Sequence, residues 1–385
     1  MTNKVYQIFA LDETGGLSID PGIDSDRLLD ILWDESLSYY RPPIPFDFLT
    51  RLRTKNSTHE SAIDYIATKA TLGFSPAPTN PLYMPPPLDI RSPDFQTFKD
   101  LDEKVAKERV SQKYLIEYKR KMRKFYKFLH PNDMYAIILD RRIYGNAFVE
   151  VVRNVFRQVV QLRHIHARTI RRTKEGYCQV INGIIKKRFT LDELIHIKKY
   201  APESSIYGLP HYLAGIINLY LNTEAKSLRY RWYKNNAHLG GILLTNNPVK
   251  DIDKKTGISK KEEEFKEEVR GSKGLGSGKM MVINMRGDDK IKKVEDQVAY
   301  IKVGGDISED DFSASIKMTK EDILTMHRIY PEVMGIPSGQ KAPQNIDKLR
   351  RMTFEDVIHP EQEMCSIAIN TFLDEESHID FLAAA

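Results

Sequence analysis

The chain has 385 residues, 41% of them hydrophobic, and a formal net charge of +5. That length favours two or three domains over one core, and the mild basicity permits contact with nucleic acid without requiring it. Two cysteines far apart, Cys178 and Cys365, give neither a disulfide framework nor a metal cluster. The first residues do not read as a secretory signal, and no run of 18 apolar residues spans a membrane.

In chain order, residues 5–9 predict a short strand. Residues 39–46 form a proline-stiffened extended segment, and residues 48–72 predict a helix that Gly73 stops. Seven prolines between 75 and 96 predict an irregular surface insertion. Residues 99–128 carry Leu101, Val105, Val110, Leu115, Tyr118, Met122 and Phe125 at helical spacing, with basic residues between them. The cluster at 119–124 reads either as a solvated helix face or as a phosphate contact.

A helix over 134–144 closes at Gly145. Strands follow at 147–152 and 159–164, then a hairpin turning at Ile181-Asn-Gly183, then a strand at 195–198. Together they predict a small, strongly bent sheet. His164-Ile-His166 places two imidazoles on one side of a strand, but no third ligand stands at metal-site spacing, so no metal is expected there.

A long helix is predicted from Pro210 to the residues before Gly240-Gly241, on the order of 40 Å in length. A compact excursion follows: a strand at 241–245, a charged helix at 260–269, a glycine-rich loop, a strand at 280–284 and an extended stretch at 290–298. A second helical stretch covers 309–334, with Ile323, Met326, His327, Tyr330 and Met334 as its stripe. Thr319-Lys-Glu-Asp322 resembles a cap and suggests a break near 318. Residues 335–345 read as a loop, and a last helix runs from 346 to 373 with an interruption at Pro360.

The loop Gly271-Ser-Lys-Gly-Leu-Gly-Ser-Gly-Lys-Met280 is not a Walker A loop. Lys273 stands where the first glycine belongs and Met280 where the metal-binding hydroxyl belongs. Its order, helix before strand, is also reversed relative to a phosphate loop. Asp288-Asp289 and Asp310-Asp311 are adjacent pairs, poor metal ligands on a strand, and no nucleophile–base order is present. No catalytic residue, cofactor or metal is therefore expected. Two alternatives stay open: a nucleotide-binding enzyme using 271–280, and a non-ring nucleic-acid binder using 104–127.

Four stretches in order carry a resemblance. They are Tyr39-Tyr-Arg-Pro-Pro-Ile-Pro-Phe-Asp-Phe48, Ile143-Tyr-Gly-Asn-Ala-Phe-Val-Glu150, Tyr207-Gly-Leu-Pro-His211 and Met326-His-Arg-Ile-Tyr-Pro-Glu-Val-Met-Gly-Ile336. Over most of 36–373 the chain resembles portal proteins of tailed bacteriophages, of the PBSX-type prophage and related contractile-tailed group. Tyr330 stands where that family tends to have the first of two prolines.

The resemblance implies an α+β portal architecture. A mixed α/β wing would occupy 1–208, with the insertion near 75–128. The first stem helix would cover 209–240, a small α/β clip 241–305 and the second stem helix 306–335. A tunnel loop at 336–346 and a C-terminal helix region at 347–385 would follow. It implies a ring, usually of twelve subunits, at one capsid vertex of the virion, assembled in the host bacterial cytoplasm. Double-stranded DNA would pass through it without sequence readout, in packaging and in ejection. The implied partners are the terminase large subunit, the head-completion or tail connector protein, the major capsid protein and the scaffold. Gln340, Lys341, Gln344, Asn345, Lys348, Arg350 and Arg351 would face the channel or its rim. For the last three, an exposed helix face or pairing with neighbouring acids is the alternative. Lys254, Lys255, Lys273 and Lys279 would lie in the clip, facing a protein partner or DNA phosphate.

Overall fold

The structure is a computed structural model that describes residues 9–11, 17–19, 33–87, 109, 111–202, 204–234, 241–245, 281–284, 298–302, 309–336 and 345–381. The chain divides into two compact units, one of residues 1–219 with 321–385 and one of residues 220–320.

The first unit opens with the paired strands β1 (Phe9–Leu11) and β2 (Leu17–Ile19), then β3 (Trp33–Asp34) and β4 (Tyr39–Tyr40). The single helix expected over 48–72 is two, α1 (Phe46–Lys55) and α2 (Ser57–Thr71). Asn56 separates them in an extended conformation and caps the second, its Oδ1 accepting from the His59 N–H at 3.1 Å. Gly73 then takes φ +78. The irregular insertion was only partly right, because β5 (Phe74–Pro76) pairs antiparallel with a strand near the chain end.

Helix α3 (Gln112–Phe128) starts at Ser111, whose Oγ accepts from the Tyr114 N–H, and buries Met122 and Phe125. Leu101, Val105 and Val110 of its predicted stripe lie outside the described residues. Helix α4 (Pro131–Tyr144) is the centre of the unit. Pro131 opens it where no N–H is needed, and Gly145 closes it at φ +70. Met134, Ile137 and Ile138 face one buried cluster with α2, α3 and the C-terminal helix, while Ile143 and Tyr144 face another with α1 and residues 207–219.

Strand β6 (Asn146–Arg153) lies between β7 (Val159–Ile165) and β11 (Leu194–Lys198), antiparallel to both. Its first four residues are all buried, as expected of a strand covered on both faces. The rest of the predicted sheet is separate. Strands β8 (Ile170–Arg172), β9 (Tyr177–Ile181) and β10 (Ile184–Phe189) join β4 and β3 in the order β10-β9-β8-β4-β3. The hairpin at Asn182-Gly183 forms as read, both residues at positive φ.

After a 3-10 turn at His211–Gly215, where the periodicity predicts α-helix, comes α5 (Ile216–Lys234), 19 residues and so about 28 Å long; residues 235–240, over which the predicted helix continues, lie outside the described residues. In the second unit β12 (Gly241–Thr245) runs parallel to β13 (Met281–Asn284) and antiparallel to β14 (Val298–Lys302). The predicted helix at 260–269 lies outside the described residues, as does most of the stretch predicted extended at 290–298.

Helix α6 (Glu309–Met326) passes through 318 without the expected break. Thr319 does not cap a new helix, since its hydroxyl bonds back to the Ser315 carbonyl at 2.9 Å. The helix ends earlier than 334, at Arg328 with φ +59, and a 3-10 turn at Pro331–Met334 follows. Helix α7 (Ile346–Thr353) continues through a π turn at Phe354–Ile358 into α8 (His359–Asn370). Pro360 sits in the first turn of α8, and the wider turn before it accommodates the missing donor. Strand β15 (Ile379–Phe381) ties the end of the chain to β5, with Phe381 and Phe74 rings 5.6 Å apart. Among the described residues, no helix is long and apolar enough to cross a membrane.

Gly145 tests the tightness of this packing. Gly145 and Gly183 both take positive φ, which costs other residues about 1–2 kcal/mol. A Cβ on Gly145 would lie 2.5 Å from the Leu209 carbonyl carbon, whereas one on Gly183 meets nothing within 4 Å. Gly145→Ala should therefore lower the urea unfolding midpoint clearly more than Gly183→Ala, and equal losses would contradict the packing described.

Candidate functional site

Three of the four quoted stretches meet where the chain passes from strands into α5. Gly145 and Gly208 approach so closely that a Cβ on Gly208 would stand 2.2 Å from the Gly145 carbonyl oxygen. Asn146 locks the approach. Its Nδ2 donates to the carbonyls of Tyr144 and Gly208, both at 2.7 Å, and its Oδ1 accepts from the Gly208 N–H at 2.7 Å and lies 2.9 Å from His196 Nε2. The amide is fully buried and all four of its hydrogen-bonding capacities are used. Burial, then the charges of Lys198 and Arg172, hold His196 down to about 3, so it meets Asn146 as a neutral ring.

Tyrosine hydroxyls add the other connections. Tyr207 donates to the Tyr40 carbonyl at 2.8 Å and accepts from the Arg172 N–H at 2.8 Å, drawing in the segment at 39–48. Tyr212 donates to the Ile143 carbonyl at 2.6 Å. Burial raises the pKa of both phenols.

The fourth stretch arrives through a chain of buried histidines. His59 Nδ1 lies 2.9 Å from His327 Nε2, and His327 Nδ1 lies 3.2 Å from His211 Nε2. His59 Nε2 is buried without a partner. Were it protonated, a buried donor would be orphaned, the rarer and costlier defect. The consistent assignment is therefore His59 donating to His327 and His327 donating to His211. All three rings are held neutral, chiefly by burial: His59 at about 4, His211 lower, and His327 well below its ordinary value.

In the same unit, Arg141 and Arg142 both pair with Glu361, joining α4 to α8, with Arg142 Nη1 2.8 Å from Oε1. Burial first, then Arg141 and Arg328, lowers Arg142 to about 9. The pair Asn222–Thr319 plays the corresponding part within the second unit. Asn222 Nδ2 donates to Thr319 Oγ1 at 2.8 Å, a buried polar contact between α5 and α6. On α5, Ile216, Leu219 and Asn222 are buried, while Ile217, Tyr220 and Leu221 on the other side are 40%, 38% and 52% exposed.

Of the residues read as channel-facing, Gln340, Lys341 and Gln344 lie outside the described residues, as do the clip lysines Lys254, Lys255, Lys273 and Lys279 and the whole loop at 271–280. Asn345 precedes α7 and is exposed, with no side-chain cap bond. Lys348, Arg350 and Arg351 are exposed on α7. Arg350 pairs with Asp347 at 3.3 Å and Arg351 with Glu355 at 2.9 Å. Such exposed pairs are worth little and exchange readily for another anion. In the basic segment 104–127, Lys119, Arg120, Arg123, Lys124 and Lys127 form a solvated face of α3. The sequence reading missed Asn146 and the histidine chain. Its usable signal was a polar residue inside the otherwise apolar run after Gly145.

The architecture is of the portal type: an α+β body whose two long helices lead into and out of a small separate sheet. The profile of the phage portal protein family matches residues 126–383, and the chain belongs to that family. It is 29% identical over 252 residues to a probable portal protein of Haemophilus phage HP1, covering 63% of this chain and 70% of the relative. Its fold is similar to the crystal structure of an HK97-family phage portal protein from Corynebacterium diphtheriae, with TM-score 0.52 and 12% identity, covering 86% of this chain and 94% of that one. It is also similar to a chain in the virion of a native gene transfer agent particle, with TM-score 0.53 and 15% identity, covering 88% of this chain and 83% of that one.

The histidine chain carries a pH prediction. With folded values depressed below the ordinary 6.5, the neutral rings support the fold fully above that pH, and stability falls as pH drops from about 6.5 toward about 4, where His59 itself protonates. His327→Phe should make the dependence of the unfolding midpoint on pH shallower across that window. An unchanged slope would show that the histidines do not set it.

Proposed function

We infer that the chain works as a ring-forming portal subunit, a passive conduit and not an enzyme, at one vertex of a phage capsid. The observation that carries this is the apolar flank of α5: Ile217, Tyr220 and Leu221 stand on the side opposite the buried Ile216 and Leu219. Identical neighbours placed side by side cover such a flank, and one repeated head-to-tail contact closes into a ring when its rotation fits. Twelve copies is the number proposed. Membership of the portal family and the fold shared with a chain of a gene transfer agent virion support the same placement, at the head-tail junction of the particle.

In this reading residues 1–208 form the wing, 209–240 and 306–335 the stem helices, 241–305 the clip, 336–346 the tunnel loop and 347–385 the closing helical region. Double-stranded DNA passes through the axis. A conduit must not read bases, because each good bidentate contact is worth about 1–3 kcal/mol and would stall the strand. Contacts belong on the uniform phosphate backbone. The loop residues Gln340, Lys341, Gln344 and Asn345, with Lys348, Arg350 and Arg351 beside them, are of that kind. The clip, with Lys254, Lys255, Lys273 and Lys279, docks the terminase large subunit first and the tail connector afterwards. The major capsid protein and scaffold meet the wing, and assembly takes place in the host cytoplasm. The family match favours this reading over a nucleotide-dependent enzyme or a solitary nucleic-acid binder.

Complementation of a phage lacking its portal tests the reading. Removing the loop at 337–344, Lys341 included, should leave heads assembled but lower the yield of DNA-filled particles. Replacing the four clip lysines with glutamate should leave heads unfilled or tailless. Normal filled, tailed particles from both variants would overturn the assignment of these surfaces.

A further inference from the structure

The His164-Ile-His166 pair lacks a third ligand in the sequence but not in the fold. Asp140 comes to it from α4, 24 residues away in the chain. One ligand atom each from Asp140, His164 and His166 lies within 4.8 Å of the other two. The Asp140 and His164 side chains are 9% and 6% exposed, while His166 is exposed.

The carboxylate is held in place. Its Oδ2 accepts from the Ala167 N–H at 2.8 Å and lies 2.8 Å from His164 Nε2. An ordinary hydrogen bond accounts for those two residues. It leaves the second oxygen, Oδ1, without a hydrogen-bond partner among the described residues. The His166 ring likewise makes no side-chain hydrogen bond there, and stands edge-to-face with His164 at 5.0 Å. The adjacent guanidinium of Arg168 is turned to Asp47 at 2.6 Å, so it does not neutralise the carboxylate.

We propose that Asp140, His164 and His166 form a binding site for a borderline divalent transition metal, zinc being the model ion. Two imidazoles and a carboxylate are the donors that such ions prefer, whereas calcium and magnesium take oxygen ligands. With zinc–ligand lengths of about 2.0–2.2 Å, binding widens the Asp140–His164 contact by about half an ångström, a side-chain adjustment. The fourth position opens into a groove lined by Pro43, Phe46, Tyr144 and Arg168, where water completes the tetrahedron. The ion acts as a clip between the last turn of α4 and the end of β7. By mass action it stabilises the folded wing, which holds the site, over the unfolded chain, which does not.

The test uses the full chain without an affinity tag, stripped with chelator and titrated with zinc by calorimetry, with the zinc content measured after desalting. The expected result is about one zinc per subunit and a raised melting temperature on loading. His166→Ala, at an exposed position, should leave the melting temperature of the stripped protein unchanged and weaken zinc binding by more than the roughly 10–100-fold that loss of an outer-shell partner causes. His166→Cys, which supplies another zinc donor, should restore it. Absence of saturable binding, or equal affinity in wild type and His166→Ala, overturns the proposal.

Discussion

A single buried amide governs the part of the molecule from which the long helix α5 departs. Asn146 spends every donor and acceptor it has on holding the turn after α4 against the Gly208 backbone. The arrangement works only because both approaching residues lack a Cβ. With the approach fixed, the backbone at 208–210 has one available path, Tyr212 reaches the Ile143 carbonyl, and the 3-10 turn at His211–Gly215 begins beside His327. A buried polar group with unmet bonds is costly, so a displaced strand or helix here would be penalised through several groups together.

This explains why four short stretches, separated by up to a hundred residues and more, carried the resemblance. Tyr40, Ile143 to Asn146, Tyr207 to His211, and His327 are partners in one network, joined by hydrogen bonds from Tyr207, Asn146, Tyr212 and the histidine chain. Side chains on regular surface helices answer to much looser rules.

Periodicity and turn chemistry found α4 with its glycine stop, the strands β6, β7 and β11, and the Asn182-Gly183 hairpin, because local preference and tertiary packing agree there. They failed where the deciding partner is distant. Asn56 breaks a continuous helical pattern because its amide caps α2 and also donates to the Leu219 carbonyl. Strands β5 and β15 are three residues each and exist by pairing with each other across the length of the chain. Thr319 has the look of a helix cap, yet its hydroxyl receives Asn222 inside a continuous helix. Asp140 was invisible as a companion of His164 because a helix and a strand bring them together.

The functional account extends the same economy to the assembly. Ile216, Leu219 and Asn222 of α5 are buried within one chain, and Ile217, Tyr220 and Leu221 are exposed, apolar area that water disfavours and that, in the proposed reading, a neighbouring copy covers. Native mass measurement of the purified chain, combined with images of the particles, tests this most directly. The account predicts closed rings of a single size, near twelve copies, with an axial hole that admits a DNA duplex. A fully folded protomer that remains solitary at high concentration, with Ile217, Tyr220 and Leu221 still facing solvent, would contradict it.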